Sequence, residues 1–203
     1  MARVKAEGDH RAFARLVERW ERPIWSLCAR MTGDLHRGED LKQETFARLF
    51  EKRKDYQPGG RFSTWLWRIA LNVCYDELRR VERRRKFLSD ATEKGASDAF
   101  EECAAETPGP ADRVTQLEEG ALVRQALLQL PEIYRSVLVL RHYEGLKLAK
   151  IAAILEIPEG TVNSRMAEAL QRLSRILEPK LRQEQRTILP TNPTIKPIEV
   201  FLL

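Results

Sequence analysis

The 203-residue chain is long enough for one or two domains, and its 43% apolar residues are sufficient for real cores. A net charge of +5, with 32% charged residues, modestly favours an anionic partner. No apolar run approaches the roughly 20 residues that span a bilayer, and the N-terminus has no signal-peptide core, so a cytoplasmic chain without membrane insertion is expected.

The first block spans residues 8–86. Phe13, Leu16, Val17 and Trp20 make one helical face. Pro23 fits the first turn of a second helix carrying Ile24, Leu27, Cys28 and Met31. Residues 33–38 read as a turn. A third helix runs from Asp40 to Lys52, with Leu41, Phe46, Leu49 and Phe50 apolar. On one side of it, at spacings of three and four, stand Asp40, Gln43, Glu44 and Arg48. Pro58-Gly59-Gly60 places a loop over residues 55–60. Ser63 or Thr64 opens a fourth helix that runs to about Lys86. Trp65 and Trp67, two apart, point to different faces; the pattern assigns Trp65 to the core and Trp67 to partial exposure.

The fourth helix ends in a basic run, Arg79, Arg80, Arg83, Arg84, Arg85 and Lys86. The sign then reverses. Residues 87–110 hold Asp90, Glu93, Asp98, Glu101, Glu102 and Glu106 against Lys94, and end in Pro108-Gly109-Pro110. This composition reads as a flexible acidic linker.

The second block spans residues 111–181. Leu117, Ala121, Leu122 and Leu128 mark one helix; Pro131 starts another with Ile133, Val137, Leu138 and Leu140, broken at Gly145. Residues 148–165, LAKIAAILEIPEGTVNSR, then read as a helix-turn-helix. Ile157 and Pro158 form the turn, and Thr161 is expected to cap the second helix. Val162, Met166, Ala169 and Leu173 face inward at helical spacing. Asn163, Ser164 and Arg165 face outward, offering groups that base edges and phosphates bind. Residues 187–203 form a Pro-containing, apolar tail. No segment alternates as a strand does, so the expected fold is all-α with two helical domains. Cys28, Cys74 and Cys103 lack metal or disulfide spacing, and His10, His36 and His142 stand alone. No catalytic constellation, metal site or cofactor motif is present, so a non-enzymatic protein is expected.

Together these residues resemble the bacterial sigma-70 family, in its extracytoplasmic-function (ECF) group. Region 2 is matched by GDHRAFARLVERW, EDLKQETFARLF and FSTWLWRIALNVCYDELRR; region 4 is matched by LLQLPEIYRSVLVLRHYEGL, IPEGTVNSR and ALQRLSRIL. The resemblance implies a transcription initiation factor that binds core RNA polymerase, recognises −35 duplex and opens the −10 element, with no cofactor. It assigns polymerase docking to Asp40, Leu41, Gln43, Glu44 and Phe46, with Arg48 on the same side of the helix and Phe46 a core residue more than an interface one. It assigns −10 contacts to Tyr56, Arg61, Phe62, Trp67 and Asn72, with Arg79 and Arg80 on the backbone. The −35 contacts fall on Lys147, Lys150, Thr161, Asn163, Ser164 and Arg165. The linker is expected to thread the polymerase's nucleic-acid channel, its carboxylates mimicking a nucleic-acid backbone. A separate anti-sigma protein is an expected partner.

The chain departs from the family pattern at several positions. Lys42 stands where an apolar residue is usual. Glu156 occupies a turn position where Gly is usual, costing roughly 1–2 kcal/mol if φ is positive there. Asn163 replaces a Lys, and Ala167-Glu168 a commonly basic pair. Two rivals remain open at this point: an operator-binding helix-turn-helix regulator, and a polymerase adaptor with reduced promoter recognition.

Overall fold

The computed structural model describes residues 1–57, 59–92 and 111–188. Its regular elements are helices: α1 (Ala2–Glu7), α2 (His10–Thr32), α3 (Leu35–Glu51), a 3₁₀ turn (Lys52–Asp55), α4 (Phe62–Thr92), α5 (Ala111–Gln129), α6 (Glu132–Leu138), a π-type turn (Val139–Tyr143), α7 (Leu148–Leu155) and α8 (Glu159–Ile188).

Local chemistry explains most boundaries. Asp9 caps α2, its carboxylate accepting from Ala12 N–H at 2.9 Å. Asp34 caps α3 by accepting from His36 and Arg37 N–H at 2.8 and 2.9 Å. Between them Gly33, at φ 80°, ends α2 in the left-handed conformation that glycine adopts without a Cβ penalty. With Asp34 as cap, α3 starts at Leu35 rather than at Asp40. Pro23 does not open a new helix: it lies inside a continuous α2. Its missing N–H costs one intrahelical bond. The burial of Ile24, Leu27, Cys28 and Met31 on the same face as half-buried Phe13, Val17 and Trp20 offsets that loss.

Helix α2 packs on α3, and both pack on α4. Gly38 permits the α2–α3 crossing, since a Cβ there would lie 2.9 Å from the N, Cα and Cβ of Ala29. Helix α4 continues to Thr92, past the expected end at residue 86, through a stretch lacking Gly and Pro and carrying a Glu82–Lys86 pair. Helix α8 likewise runs to Ile188 rather than 181. The rest of the acidic linker, residues 93–110, and the tail from residue 189 lie outside the described residues.

The second module wraps α5, α6 and α8 around Ala126, Leu127, Leu130, Leu138, Ala169 and Leu173. After α6 the helix widens: Glu144 N–H donates to Val139 O at 3.1 Å and Leu146 N–H to Leu140 O at 3.0 Å. Gly145, at φ 62°, then turns the chain into α7. The two modules are closed on each other. Val137, Leu140, Ile151 and Ile154 belong to the same apolar cluster as Leu27, Leu66 and Leu71. Helix α7 rests on α4, and the π-type turn rests on α2.

Candidate functional site

The residues expected to make contacts fall on three surfaces. On α3, Asp40, Gln43 and Glu44 are exposed side by side. Two arginines tie this face to α4. Arg37 bridges Glu77 at 2.6 Å and Asp40 at 3.1 Å; Arg48 bridges Glu44 at 2.6 Å and Asp76 at 2.8 Å. The hydrogen bond to Glu77 raises the Arg37 pKa above its ordinary value, and the bond to Asp76 does the same for Arg48. Such surface pairs add little stability each, but the ladder fixes where the carboxylates point. Leu41 and Phe46 do not belong to this surface. They are 1% and 6% exposed, and they anchor α3 in the core. Lys42 is accommodated by pairing with Glu39 at 2.6 Å.

The second surface is the start of α4. Tyr56, Phe62 and Trp65 form an aromatic cluster, with Tyr56 5.3 Å from Trp65 and 6.1 Å from Phe62, centroid to centroid. Tyr56 is buried, and its hydroxyl donates to Gly60 O at 3.2 Å, so it shapes the loop more than it meets solvent. The two tryptophans exchange the expected roles. Trp67 is 2% exposed and edge-on to Trp20 at 6.2 Å, which rules it out as an exposed wedge. Trp65 is the half-buried one. Helical spacing gives the reason: Trp67 shares a face with Ala70 and Cys74, both buried, whereas Arg61, Trp65, Arg68, Asn72 and Arg79 follow one outer stripe. That stripe was available from the sequence and points to Trp65. Arg61, Asn72, Arg79 and Arg80 are exposed.

The third surface is the helix-turn-helix. Val162, Ala169 and Leu173 are buried as the spacing requires, Met166 is half-buried, and Asn163 and Ser164 are exposed. Ser164 Oγ donates to Gly160 O at 3.0 Å, and Arg165 is half-buried. Thr161 is not the cap. Helix α8 starts two residues earlier, and the Pro158 carbonyl accepts from Thr161 and Val162 N–H at 2.9 and 3.2 Å. Glu156 has φ 56°, the one positive value among described non-glycine residues. Lys147 is exposed. Lys150 is half-buried, and its pKa is lowered, first by burial and then by the neighbouring Arg61 charge. Glu168 pairs with Arg172 at 2.7 Å, which partly offsets its charge.

Closure brings the second and third surfaces together. Arg68 of α4 meets Glu156 at 2.6 Å and donates to Ala153 O at 2.8 Å, both at the end of α7. Ser26 Oγ donates to Glu144 at 2.9 Å, and Arg30 lies 4.3 Å over the Tyr143 ring. Burial raises the Glu144 pKa against the opposing effects of Ser26 and Arg30. Arg135, 7% exposed, donates from α6 to Met31 O of α2 and to Leu127 O, Leu128 O and Leu130 O. Its role was not legible as a site; nothing in the local pattern distinguishes it from an exposed arginine.

A helical module with an exposed charged face, joined to a helix-turn-helix module, is the architecture of a DNA-directed transcription factor. Residues 16–85 match Sigma-70 region 2 and residues 121–173 match Sigma-70, region 4. The chain is 35% identical over 173 residues to the ECF RNA polymerase sigma factor SigW of Bacillus subtilis, covering 84% of this chain and 91% of that protein. It is 35% identical over 179 residues to the RNA polymerase sigma-H factor of Pseudomonas aeruginosa, covering 87% and 91%. Among solved structures it is similar to CnrH in complex with the cytosolic domain of CnrY, at TM-score 0.61 and 27% identity over 86% of this chain and 93% of that one. The fold is also that of the sigma factor RpoE of Bartonella quintana, solved with the anti-sigma factor NepR, at TM-score 0.63 and 24% identity over 82% and 97%. The chain belongs to the sigma-70 family, in its ECF group: it is a sigma factor that directs RNA polymerase to promoters. Among the described residues no helix is long and apolar enough to cross a membrane.

Proposed function

We propose a division of labour among the three surfaces, with region 2 over residues 8–86 and region 4 over residues 111–181. The α3 face of Asp40, Gln43, Glu44 and Arg48 docks on core polymerase, with Leu41 and Phe46 holding it from beneath. The start of α4 takes the opened −10 strand: Arg61, Phe62 and Asn72 contact bases beside the Tyr56–Trp65 cluster, and Arg79 and Arg80 hold the backbone. Helix α8 reads the −35 duplex through Thr161, Asn163, Ser164 and Arg165, while Lys147 and Lys150 hold phosphates. The factor works in the cytoplasm by binding alone and needs no cofactor, and a separate anti-sigma protein restrains it. The observation that carries this reading is the α3 ladder, which aims one exposed acidic and amide face outward on the same chain as the helix-turn-helix.

Run-off transcription with bacterial core polymerase on randomised promoters tests it. New starts sharing −35 and −10 sequences are expected only when the protein is present. Co-elution with core but no starts would instead favour an adaptor, and the absence of both starts and co-elution would refute polymerase docking. Reversing Asp40 and Glu44 to Lys, with Gln43→Ala, should weaken core binding about 100-fold, given a few kcal/mol carried by a small cluster of contacts. Helix content by circular dichroism should stay unchanged. Unaltered binding would remove α3 from the docking surface.

Region 4 supplies a second measurable expectation. Asn163 sits exposed near the start of α8, where an added positive charge can pair with phosphate. The Asn163→Lys variant should bind duplex DNA more tightly at low salt. Its plot of log K against log salt should steepen by about 0.9 for the one added contact. An unchanged slope would show that position 163 does not face the backbone.

A further inference from the structure

We propose that Glu156 is an interdomain latch, which holds region 4 on region 2 in the free protein and so sets how much of the protein is open for promoter binding. The proposal rests on the sigma-factor reading above and concerns a state without polymerase.

The closed form cannot serve a promoter. Elements near −35 and −10 lie about 25 base pairs apart, roughly 85 Å of duplex at about 3.4 Å per base pair. Here the start of α4 touches the end of α7, and Arg61 is near enough to Lys150 to depress its pKa. Two DNA-reading surfaces in contact cannot span that length, so the modules must separate before both elements are bound.

Glu156 is placed to resist that separation. It ends α7 in the left-handed region, at φ 56°, where a side chain is strained and glycine is not. Glycine would satisfy the turn itself. What the glutamate adds is a carboxylate 2.6 Å from Arg68 of the other module. The same guanidinium donates to Ala153 O, one of the free carbonyls at the C-terminal end of α7, where a positive charge is also favoured by the helix dipole. The turn therefore keeps a strained residue whose only described side-chain partner lies across the interface. Apolar burial provides most of the closure; the exposed ion pair adjusts it by a modest factor.

Single-molecule energy transfer on the full chain tests this, with dyes placed through non-cysteine chemistry at exposed Glu18 of α2 and Gln171 of α8. Measurement at a urea concentration where wild type shows both closed and open populations makes the ratio readable. Glu156→Lys keeps a strained side chain but repels Arg68, and it should shift the ratio about fivefold toward open. Arg68→Glu should do the same, losing its bond to Ala153 O as well, and the combined swap should be more closed than Arg68→Glu alone. Core polymerase, which takes the open form, should then capture Glu156→Lys with apparent affinity raised by the same factor. The latch is overturned by a wild type with no closed population, by a ratio unmoved in both single variants, or by a swap no more closed than Arg68→Glu alone. A protein that shows the latch but never binds core would instead refute the sigma reading, so the two failures are separable.

Discussion

Arg135→Met is expected to lower the unfolding free energy by about 3–5 kcal/mol, the largest single effect anticipated in this protein. The guanidinium is buried and serves four carbonyls. Those of Leu127, Leu128 and Leu130 close the C-terminal end of α5, and that of Met31 closes the last turn of α2. Leu127 O also accepts from Leu130 N–H at 3.1 Å, but the other carbonyls lie beyond the reach of intrahelical donors, and the dipoles of both helices favour a positive charge there. Burial pushes the Arg135 pKa down, and Glu132 pushes it back up only in part. Methionine fills similar volume but leaves the carbonyls of Met31, Leu128 and Leu130 without the guanidinium, and relief from desolvating the charge offsets only part of that. The melting temperature should fall by about 10 °C, read by circular dichroism. Arg135→Lys should recover little, because an ammonium cannot fan out to four acceptors. A methionine variant within about 1 kcal/mol of wild type would show that the carbonyls find other donors.

The second large effect is expected at Gly38. Its Cβ position falls 2.9 Å from three Ala29 atoms, two of them backbone, so no rotamer change can make room. Gly38→Val should force α2 and α3 apart and cost about 2–3 kcal/mol. It should also displace Asp40, Gln43 and Glu44, two to six residues further along, and weaken core binding beyond the stability loss. Gly38→Ala separates steric from intrinsic causes. In an open helix alanine gains up to about 1 kcal/mol over glycine; here it should still destabilise. A stabilised alanine variant, measured by urea unfolding, would mean that the crossing has slack.

Residues whose role depends on near neighbours were read well from the sequence. The inward positions Val162, Ala169 and Leu173 follow from helical spacing, and the strained turn at Glu156 followed from its place in the motif. Errors arose where a local signal competed with packing. Pro23 is a fair helix start in isolation, but it sits inside α2 because the faces before and after it cover one core. For the two tryptophans the local pattern misleads, whereas the spacing to Ala70 and Cys74 places Trp67 inside. Leu41 comes with the docking motif, yet it is buried beside Phe46, whose place in the core the sequence does indicate.

Helix identity, caps and apolar faces depend on groups within about one turn of each other, so the order of residues was enough to specify the two modules and the outward face of α8. How the modules meet was not. Arg135 with Met31, Ser26 with Glu144, and Arg68 with Glu156 join positions far apart in the chain. No periodicity couples such pairs, because the free energy that selects them comes from apolar surface buried only after the segments have approached. Closure of region 4 on region 2 therefore belongs to the tertiary structure, as do the crossing at Gly38 and the use of Glu156 between the modules.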